Sequence, residues 1–248
     1  MKVIFTCGGT AGHVNPALAL AGYMRKKDPT VEVLFVGTPE GIERDLVAQA
    51  GYDYRGIAVG SLERSVSWEA IRHNCKSAWE MLALRRKTGA ILKEFPADLV
   101  VGTGGYASYP MVKYAALRGI PTAVHEANMI PGLTTKMLEK HASRIMVGFE
   151  ECRALYKHPE RIAVTGTPVR GDFFDLTHEE AKAALGMGKD EPLVVSFWGS
   201  LGASTMNEQM LDFFKKEKED GYPFYHIHAV GGRGWETMQQ EMQKAGLP

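Results

Sequence analysis

Short apolar runs rich in β-branched residues alternate with longer Ala- and Leu-rich stretches along this chain. The runs predict seven strands up to residue 165: residues 2–6, Val31–Gly37, Tyr54–Val59, Asp98–Gly102, Pro121–His125, Arg144–Val147 and Arg161–Thr165. Helical stretches separate the strands, with Asn15-Pro16 and Thr38-Pro39-Glu40 as helix start signals. Apolar strands that alternate with helices are typical of a parallel, doubly wound α/β sheet.

A second, shorter set of elements follows a Gly- and Pro-rich segment that begins near residue 165. In it, Leu193–Phe197 and Tyr225–Val230 predict two strands. We therefore place a domain boundary after residue 165, so that the two domains are 1–165 and 166–248. Because two parallel strands cannot cover both of their faces, we expect the second domain to be a truncated one.

Both predicted domains open in the same way. Residues 2–6 run into Cys7-Gly8-Gly9-Thr10-Ala11-Gly12-His13, and Leu193–Phe197 run into Trp198-Gly199-Ser200-Leu201-Gly202. A Gly-rich turn between a strand and a helix presents backbone N–H groups to a phosphate. Neither turn has the glycine spacing of a dinucleotide fingerprint, and the sequence has no Gly-Lys-Ser/Thr. The pattern favours two phosphorylated substrates held between two domains over hydride transfer or ATP hydrolysis.

Composition narrows the class of protein further. The 248 residues are 45% apolar and have a formal net charge of zero, which argues against a general nucleic-acid-binding protein. The sequence has neither an apolar run of about 18 residues nor a signal-peptide pattern, so a cytoplasmic protein is expected. Its 3 cysteines, far apart and without a Cys-x-x-Cys pair, favour reduced thiols over disulfides or a zinc site.

His13 is the residue of the first turn with chemistry beyond turn formation. An imidazole at the start of a helix that faces an interdomain cleft can act as a base near neutral pH. The turn by itself leaves an alternative open, in which Gly8, Gly9 and Gly12 only allow a tight bend and close helix packing.

Five ordered motifs carry a resemblance to a known family. They are Gly8-Gly9-Thr10-Ala11-Gly12-His13, Gly102-Thr103-Gly104-Gly105-Tyr106-Ala107-Ser108, His125-Glu126-Ala127-Asn128, Gly166-Thr167-Pro168-Val169-Arg170 and Gly199-Ser200-Leu201-Gly202-Ala203. In this order they resemble the MurG family of UDP-N-acetylglucosamine:N-acetylmuramyl-(pentapeptide) pyrophosphoryl-undecaprenol N-acetylglucosaminyltransferases, in glycosyltransferase family 28. The resemblance covers essentially the whole chain. Trp198 and Leu201 depart from the family's usual residues, and its later donor-binding motifs would lie beyond Pro248.

The resemblance implies a GT-B fold, in which two Rossmann-like domains face a cleft. Residues 1–165 are then expected to bind the lipid-linked acceptor, lipid I, and residues 166–248 to form part of the domain that binds UDP-N-acetylglucosamine. The implied reaction is an inverting transfer of N-acetylglucosamine that gives lipid II for peptidoglycan, without a metal or cofactor. The implied location is peripheral, at the cytoplasmic face of the bacterial cell membrane, with the cell-wall synthesis machinery as a further partner.

The same resemblance assigns roles to individual residues. His13 is the expected base that deprotonates the acceptor hydroxyl. The expected substrate contacts are Thr10, Ala11 and Gly12 at the first helix N-terminus, together with Tyr106, His125, Asn128, Arg170 and Ser200.

Three of these assignments have structural alternatives. Glu126 is expected to be catalytic, and with His125 to position the acceptor or tune His13. The alternative for both is a buried hydrogen-bonded pair at the end of a strand. For Arg170, expected to clamp the donor, the alternative is a surface salt bridge.

Residues 68–87 combine an apolar stripe with positive charge. The apolar members, at helical spacing, are Trp68, Ile71, Cys75, Ala78, Trp79 and Leu82, and the cations beside them are Arg72, Lys76, Arg85, Arg86 and Lys87. Two tryptophans with flanking cations favour docking on an anionic membrane surface, whereas an ordinary core-facing helix is the alternative.

Two other functions stay open at this point. A UDP-N-acetylglucosamine 2-epimerase has the same two-domain fold but needs no lipid acceptor. A non-catalytic fragment would bind the membrane or the lipid carrier without completing the donor site.

Overall fold

The computed structural model describes residues 1–58, 83–199, 202–232 and 234–248. They form two compact units, Met1–Phe173 and Phe174–Pro248. The sequence placed the boundary after residue 165, whereas the structure divides at Phe173. Part of the crossing segment belongs to the first unit, because the His125 ring bonds the carbonyl oxygen of Gly166 at 3.2 Å.

In the residues that the structure describes, the first unit is built on one parallel sheet of seven strands. The strands are β1 (Lys2–Thr6), β2 (Glu32–Gly37), β3 (Asp53–Gly56), β4 (Leu99–Gly102), β5 (Thr122–Glu126), β6 (Arg144–Val147) and β7 (Ile162–Val164). Their order across the sheet is β3-β2-β1-β4-β5-β6-β7. The predicted parallel α/β sheet is therefore confirmed. β3 ends at Gly56, earlier than predicted, and Val59 lies outside the described residues.

Helices lie along the strands on both faces of this sheet. They are α1 (Ala11–Lys27), α2 (Ile42–Gln49), α3 (residues 83–94), α4 (Ser108–Ala116) and α5 (Leu133–Leu138), followed by 3-10 turns at Glu150–Leu155, Pro159–Arg161 and Gly171–Phe174. Successive strand residues enter two separate cores. One core contains Ile4, Val36, Val100 and residues of α3, α4 and α5, and the other contains Val3, Phe5, Phe35 and residues of α1 and α2. Such two-sided burial explains why the central strands β1, β2 and β4 are mostly apolar, whereas the edge strand β3 is largely exposed and polar.

α1 begins earlier than its predicted start signal. Asn15-Pro16 marked the start in the sequence, but the helix begins at Ala11, after Thr10 in extended conformation, and Pro16 lies inside it. Pro16 has no backbone N–H, so α1 has one backbone hydrogen bond fewer in its second turn. The early start places the N-terminus of α1 directly behind the Gly-rich turn.

The described part of the second unit contains a two-stranded parallel sheet and three helices. Its elements are α6 (His178–Ala184), β8 (Leu193–Phe197), α7 (Ser204–Glu219), β9 (Tyr225–Ala229) and α8 (Trp235–Lys244). A small core forms around Phe214, Val230, Met238 and Leu247. Several strand side chains stay exposed, including Phe197 at 66%. Both predicted strands are confirmed, but this sheet buries far less of its surface than the first.

Most of the predicted membrane-docking stripe cannot be placed. Residues 68–82 lie outside the described residues, whereas Arg85, Arg86 and Lys87 are exposed on α3. Among the helices that the structure describes, none is long and apolar enough to cross a membrane.

Candidate active site

Three of the five motifs meet at one edge of the first sheet. β1, β4 and β5 are neighbours, so their parallel carboxyl ends lie side by side. The chain leaves these ends as residues 7–13, 103–108 and 127–132. The sheet order reverses between β1 and β4, since β2 lies on one side of β1 and β4 on the other. Such a switch point is where open α/β sheets bind their ligands.

The first turn presents the N-terminus of α1 at this edge. Gly9 has a φ of 89°, a left-handed conformation that favours glycine. Thr10 and Gly12 are exposed and Ala11 is half-buried, and α1 continues for 17 residues behind them. The free N–H groups and the dipole of a helix of this length favour a negatively charged ligand. The geometry is compatible with a phosphate next to Thr10, Ala11 and Gly12.

His13 is held in one orientation through its Nδ1 atom. Nδ1 lies 2.8 Å from the carbonyl oxygen of Gly8 and 3.3 Å from the Thr10 hydroxyl. Because a carbonyl oxygen only accepts, the neutral imidazole must carry its proton on Nδ1. Nε2 then has the free lone pair, and no described residue forms a hydrogen bond to it. This is the arrangement that a general base requires.

The loop after β4 packs against both the first turn and His13. The Thr103 hydroxyl donates to the carbonyl oxygen of His13 at 2.6 Å. Gly104 and Gly105 both have positive φ values, and a Cβ atom on Gly104 would lie 2.5 Å from the His13 ring. A Cβ atom on Gly105 would lie 2.1 Å from the Gly8 carbonyl oxygen. Only glycine at both positions allows the loop to lie this close to His13 and to the first turn. Tyr106 follows directly in the same loop, and its side chain is 49% exposed.

Glu126 orders the loop that carries Asn128. One carboxylate oxygen accepts from the backbone N–H and the side-chain amide of Asn128, at 3.0 and 2.8 Å. The other accepts from the Gly132 N–H at 2.9 Å and the Thr135 hydroxyl at 2.8 Å. Burial raises the pKa of Glu126, but these four hydrogen bonds lower it below its ordinary value. Glu126 is thus a buried, ionised anchor, and its expected direct catalytic role stays a prediction.

His125 lies beneath this edge with only 1% of its surface exposed. Its Nε2 atom donates to the carbonyl oxygen of Gly166, whereas its Nδ1 atom has no hydrogen-bond partner among the described residues. Burial lowers the pKa of His125, so the ring is neutral near pH 7. This geometry favours the interpretation of a buried strand-end residue, and contact with a substrate stays a prediction.

Of the two residues expected to bind the donor, the structure describes only Arg170. Arg170 forms an exposed ion pair with Asp172 at 3.2 Å, which is the geometry of the surface alternative. Ser200 lies outside the described residues. The predicted strand and helix on either side of it are present, because β8 ends at Phe197 and α7 begins at Ser204.

Sequence reasoning missed Glu43, which contacts the first turn from α2. Its side chain is fully buried and accepts from the Thr38 N–H at 2.9 Å, the Thr38 hydroxyl at 2.6 Å and the Gly9 N–H at 3.3 Å. Burial raises the pKa of Glu43, and the hydrogen bonds lower it by more, so the group is ionised. The only signal in the sequence was an acidic residue in the first turn of a helix, which is too common to single it out.

A buried polar chain in the second unit was also missed. The Ser196 hydroxyl lies 2.9 Å from Nε2 of His226 and 2.8 Å from Nδ1 of His228, and Nδ1 of His226 lies 2.7 Å from Glu217. These contacts tie both strands to α7. The alternation His226-Ile227-His228 in β9 was the available signal, because it places both imidazoles on one face of the strand.

The fold and this edge define a Rossmann-like domain with a helix N-terminus and a histidine side chain at its switch point. A model of the glycosyltransferase family 28 N-terminal domain matches residues 3–147, and the chain belongs to that family. A curated relative from Acetivibrio thermocellus is 38% identical over 248 residues. That protein is named UDP-N-acetylglucosamine--N-acetylmuramyl-(pentapeptide) pyrophosphoryl-undecaprenol N-acetylglucosamine transferase. The match includes 100% of this chain and 66% of the relative, so the chain spans about two thirds of its length.

Solved structures agree with this placement. The crystal structure of Acinetobacter baumannii MurG matches 98% of this chain and 65% of its own chain, with 25% identity and a TM-score of 0.65. The UDP-GlcNAc 2-epimerase from Neisseria meningitidis matches 99% of this chain and 69% of its own, with a TM-score of 0.58. Because the epimerase is only 12% identical, that likeness shows the fold alone. The predicted GT-B class is confirmed, and the epimerase alternative is the less supported one.

Proposed function

We propose that this chain belongs to a transferase that moves N-acetylglucosamine from UDP-N-acetylglucosamine to lipid I and so forms lipid II for peptidoglycan. The observation that carries this proposal is the orientation of His13, whose Nδ1 proton is held by Gly8 and whose Nε2 atom is free. The name of the relative that is 38% identical over the whole chain supports the choice of substrates.

In the proposed step, Nε2 of His13 removes the proton from an acceptor hydroxyl as its oxygen attacks the anomeric carbon of the donor sugar. The bond between that carbon and the UDP oxygen breaks on the opposite face, so UDP leaves with the electron pair and the configuration inverts. A positioned base of this kind contributes about 10²- to 10⁴-fold to the rate. The step itself involves only the imidazole, the two substrates and the departing diphosphate.

The other edge residues bind and orient in this proposal. The N-terminus of α1 at Thr10, Ala11 and Gly12 holds a substrate phosphate or sugar hydroxyl. Glu126 fixes the loop from which Asn128 contacts a sugar, since it accepts from both nitrogen atoms of that residue. The exposed Tyr106 side chain adds a further contact for the acceptor.

The proposal also assigns the two parts of the chain and their surroundings. Residues 1–165 bind lipid I, and residues 166–248, with Arg170 and Ser200, contribute to the site for UDP-N-acetylglucosamine. Residues 68–87 rest on anionic lipid at the cytoplasmic face of the cell membrane, which brings the site to its lipid-linked acceptor. The cell-wall synthesis machinery is the proposed protein partner.

A transfer assay with labelled UDP-N-acetylglucosamine and a short-chain lipid I analogue tests this function. We expect an acceptor-dependent product from the wild-type chain and a loss of about 10²- to 10⁴-fold for His13→Ala, the contribution of a general base. His158→Ala is the control, because that histidine lies at the surface of the same unit and pairs with Glu160.

Other outcomes separate the alternatives. UDP-N-acetylmannosamine formed from UDP-N-acetylglucosamine without acceptor would establish an epimerase instead. Calorimetric titration with the lipid I analogue tests the other alternative, a non-catalytic fragment that binds the acceptor. Saturable binding without any transfer would show that this chain is an acceptor-binding fragment, and absence of both would overturn the proposal.

A further inference from the structure

Glu43 and His13 bind opposite ends of a single peptide group. The carboxylate of Glu43 accepts from the N–H of Gly9 at 3.3 Å, and the Nδ1 atom of His13 bonds the carbonyl oxygen of Gly8 at 2.8 Å. These two backbone atoms belong to the peptide bond that joins Gly8 to Gly9. Because a trans peptide group is planar, its N–H and C=O point in opposite directions, and fixing one fixes the other.

We propose that Glu43 is a positioning residue that acts on His13 through the Gly8–Gly9 peptide group and so sets the tautomer and orientation of the base. This inference rests on the proposed function only for its consequence on rate. The arrangement is a carboxylate–histidine pair with one peptide inserted between its members. A carboxylate that accepts from the N–H polarises the amide and makes its carbonyl oxygen a better acceptor for the Nδ1 proton.

The peptide group requires such an anchor because its own conformation is weakly determined. Gly9 adopts a φ of 89°, and a Cβ atom at this position would meet nothing within 4 Å. Two consecutive glycines have little intrinsic preference for one peptide orientation. Glu43 and the Gly105 contact on the Gly8 oxygen therefore decide which way this carbonyl points.

Glu43 is itself held rigidly enough to serve as an anchor. Its other carboxylate oxygen accepts two hydrogen bonds from Thr38, and the side chain is fully buried. The glycines around it leave room for it, since a Cβ atom on Gly8, Gly37 or Gly41 would lie 2.8 Å or less from a Glu43 side-chain atom. Most of a glutamate's conformational freedom is thus removed before any ligand arrives.

The test is the replacement Glu43→Gln, which keeps the size of the side chain. The Thr38 and Gly9 N–H groups bond different carboxylate oxygens, and glutamine has an NH₂ group in place of one of them, so the amide cannot keep both contacts. Glu139→Gln is the matched control, because Glu139 is a buried carboxylate that accepts from the backbone N–H groups of Lys157 and His158. Glu139 makes no hydrogen bond to the first turn or to His13 in the described residues.

The readout is the tautomer of neutral His13, measured by ¹⁵N NMR on histidine-labelled protein and assigned by loss of the signal in His13→Gln. We expect the Nδ1–H form in the wild type and in Glu139→Gln, and a marked shift toward the Nε2–H form in Glu43→Gln. A folded Glu43→Gln chain with the wild-type tautomer would overturn the proposal. If circular dichroism shows that Glu43→Gln does not fold, Thr38→Val replaces it. That variant loosens the carboxylate and should give a smaller shift in the same direction, and an unchanged tautomer would count equally against us.

A rate measurement tests whether the positioning of His13 by Glu43 affects catalysis. If the transferase activity is present, Glu43→Gln should lower kcat by about 10- to 100-fold at unchanged KM, the loss expected when a histidine loses its orienting partner. The two proposals can fail separately. A tautomer shift in a chain without transferase activity would support the positioning role of Glu43 and reject the proposed function. An active chain whose rate and tautomer do not respond to Glu43→Gln would support the function and reject the positioning role.

Discussion

The two strand-turn-helix segments of this chain begin alike and end in different surroundings. β1 carries Phe5, fully buried and stacked on Phe35 at 5.4 Å, whereas Phe197 at the end of β8 is 66% exposed. The turn after β1 is contacted by Glu43 and by the loop after β4. The turn after β8 approaches the end of β9, where a Cβ atom on Gly202 would lie 2.1 Å from the Val230 carbonyl oxygen.

The difference shows that a Gly-rich turn is a common device whose function depends on what surrounds it. Both turns place a helix N-terminus behind a strand, which the local sequence suffices to encode. In the first unit, neighbouring strands and α2 add a buried carboxylate and two further glycines, so that His13 has a single orientation. Mutations that affect either the Gly-rich turns common to both units or the contacts found only in the first unit test this conclusion.

The largest expected difference concerns the two phenylalanines. Phe5→Ala should lower the free energy of unfolding by about 3–5 kcal/mol, because it removes a fully buried aromatic ring. Phe197→Ala should change it by less than about 0.5 kcal/mol, since the ring is mostly in solvent. Urea unfolding followed by circular dichroism measures both, and comparable losses would contradict the contrast between the two sheets.

Close packing of backbone against a glycine should contribute to stability at both Gly-rich turns. Gly105→Ala places a Cβ atom 2.1 Å from the Gly8 oxygen at a φ of 78°, and we expect a loss of about 3 kcal/mol from strain and overpacking. Gly202→Ala should cost a similar amount. Gly119→Ala is the control for φ alone, because nothing lies within 4 Å, and it should cost about 1 kcal/mol. Thermal unfolding ranks the three, and a harmless Gly105→Ala would disprove the interlocked loops.

Buried and exposed carboxylates should respond differently to acid. Glu126 in the first unit and the exposed capping residue Glu180 in the second both have a pKa below the ordinary 4.5. Each therefore stabilises the fold fully above pH 4.5, and the contribution is lost as the pH falls through the lower folded value. Glu126→Gln should cost about 1–3 kcal/mol at pH 7 and reduce the acid dependence of stability, because buried donors lose their acceptor.

The exposed Glu180→Gln should have a much smaller effect, because water can replace its contacts. Unfolding curves at several pH values between neutral and acid compare the two variants. An unchanged pH dependence in Glu126→Gln would show that its four hydrogen bonds do not favour the ionised form.

The smallest expected effect on stability concerns two surface ion pairs. Arg170→Ala and Lys215→Ala each remove a partner of an exposed aspartate, Asp172 and Asp212 respectively, and each should cost less than about 1 kcal/mol. Of these two variants, only Arg170→Ala should weaken the binding of UDP-N-acetylglucosamine, since a donor contact is proposed for Arg170 and not for Lys215. Calorimetric titration distinguishes them, and equal donor binding by both variants would leave Arg170 with its surface role.

Much of the first unit was predictable from local pattern. Most of the strands are short apolar runs bounded by turn residues, a pattern that favours a buried strand, and the motifs follow three of them. Parallel strands bring their carboxyl ends to one edge, and the observed neighbours β1, β4 and β5 place His13, Tyr106 and Asn128 at that edge. The helix start at Ala11 was not predictable, because Pro16 is a start signal that the structure tolerates inside the helix.

The sequence by itself determined the sheet, the Gly-rich turns and the identity of the residues at the edge. These depend on the spacing of apolar side chains and on the backbone freedom of glycine, both of which are properties of short segments. Only the tertiary structure decided that Glu43 reaches Gly9, that Glu126 is surrounded by four donors and that His125 is buried under Gly166. The contacts of Glu43 and His125 join residues that are distant in the chain. The donors to Glu126 are close in sequence, but they converge on the carboxylate only when the loop after β5 has folded. Burial and hydrogen bonding of this kind act only after the strands and helices have packed.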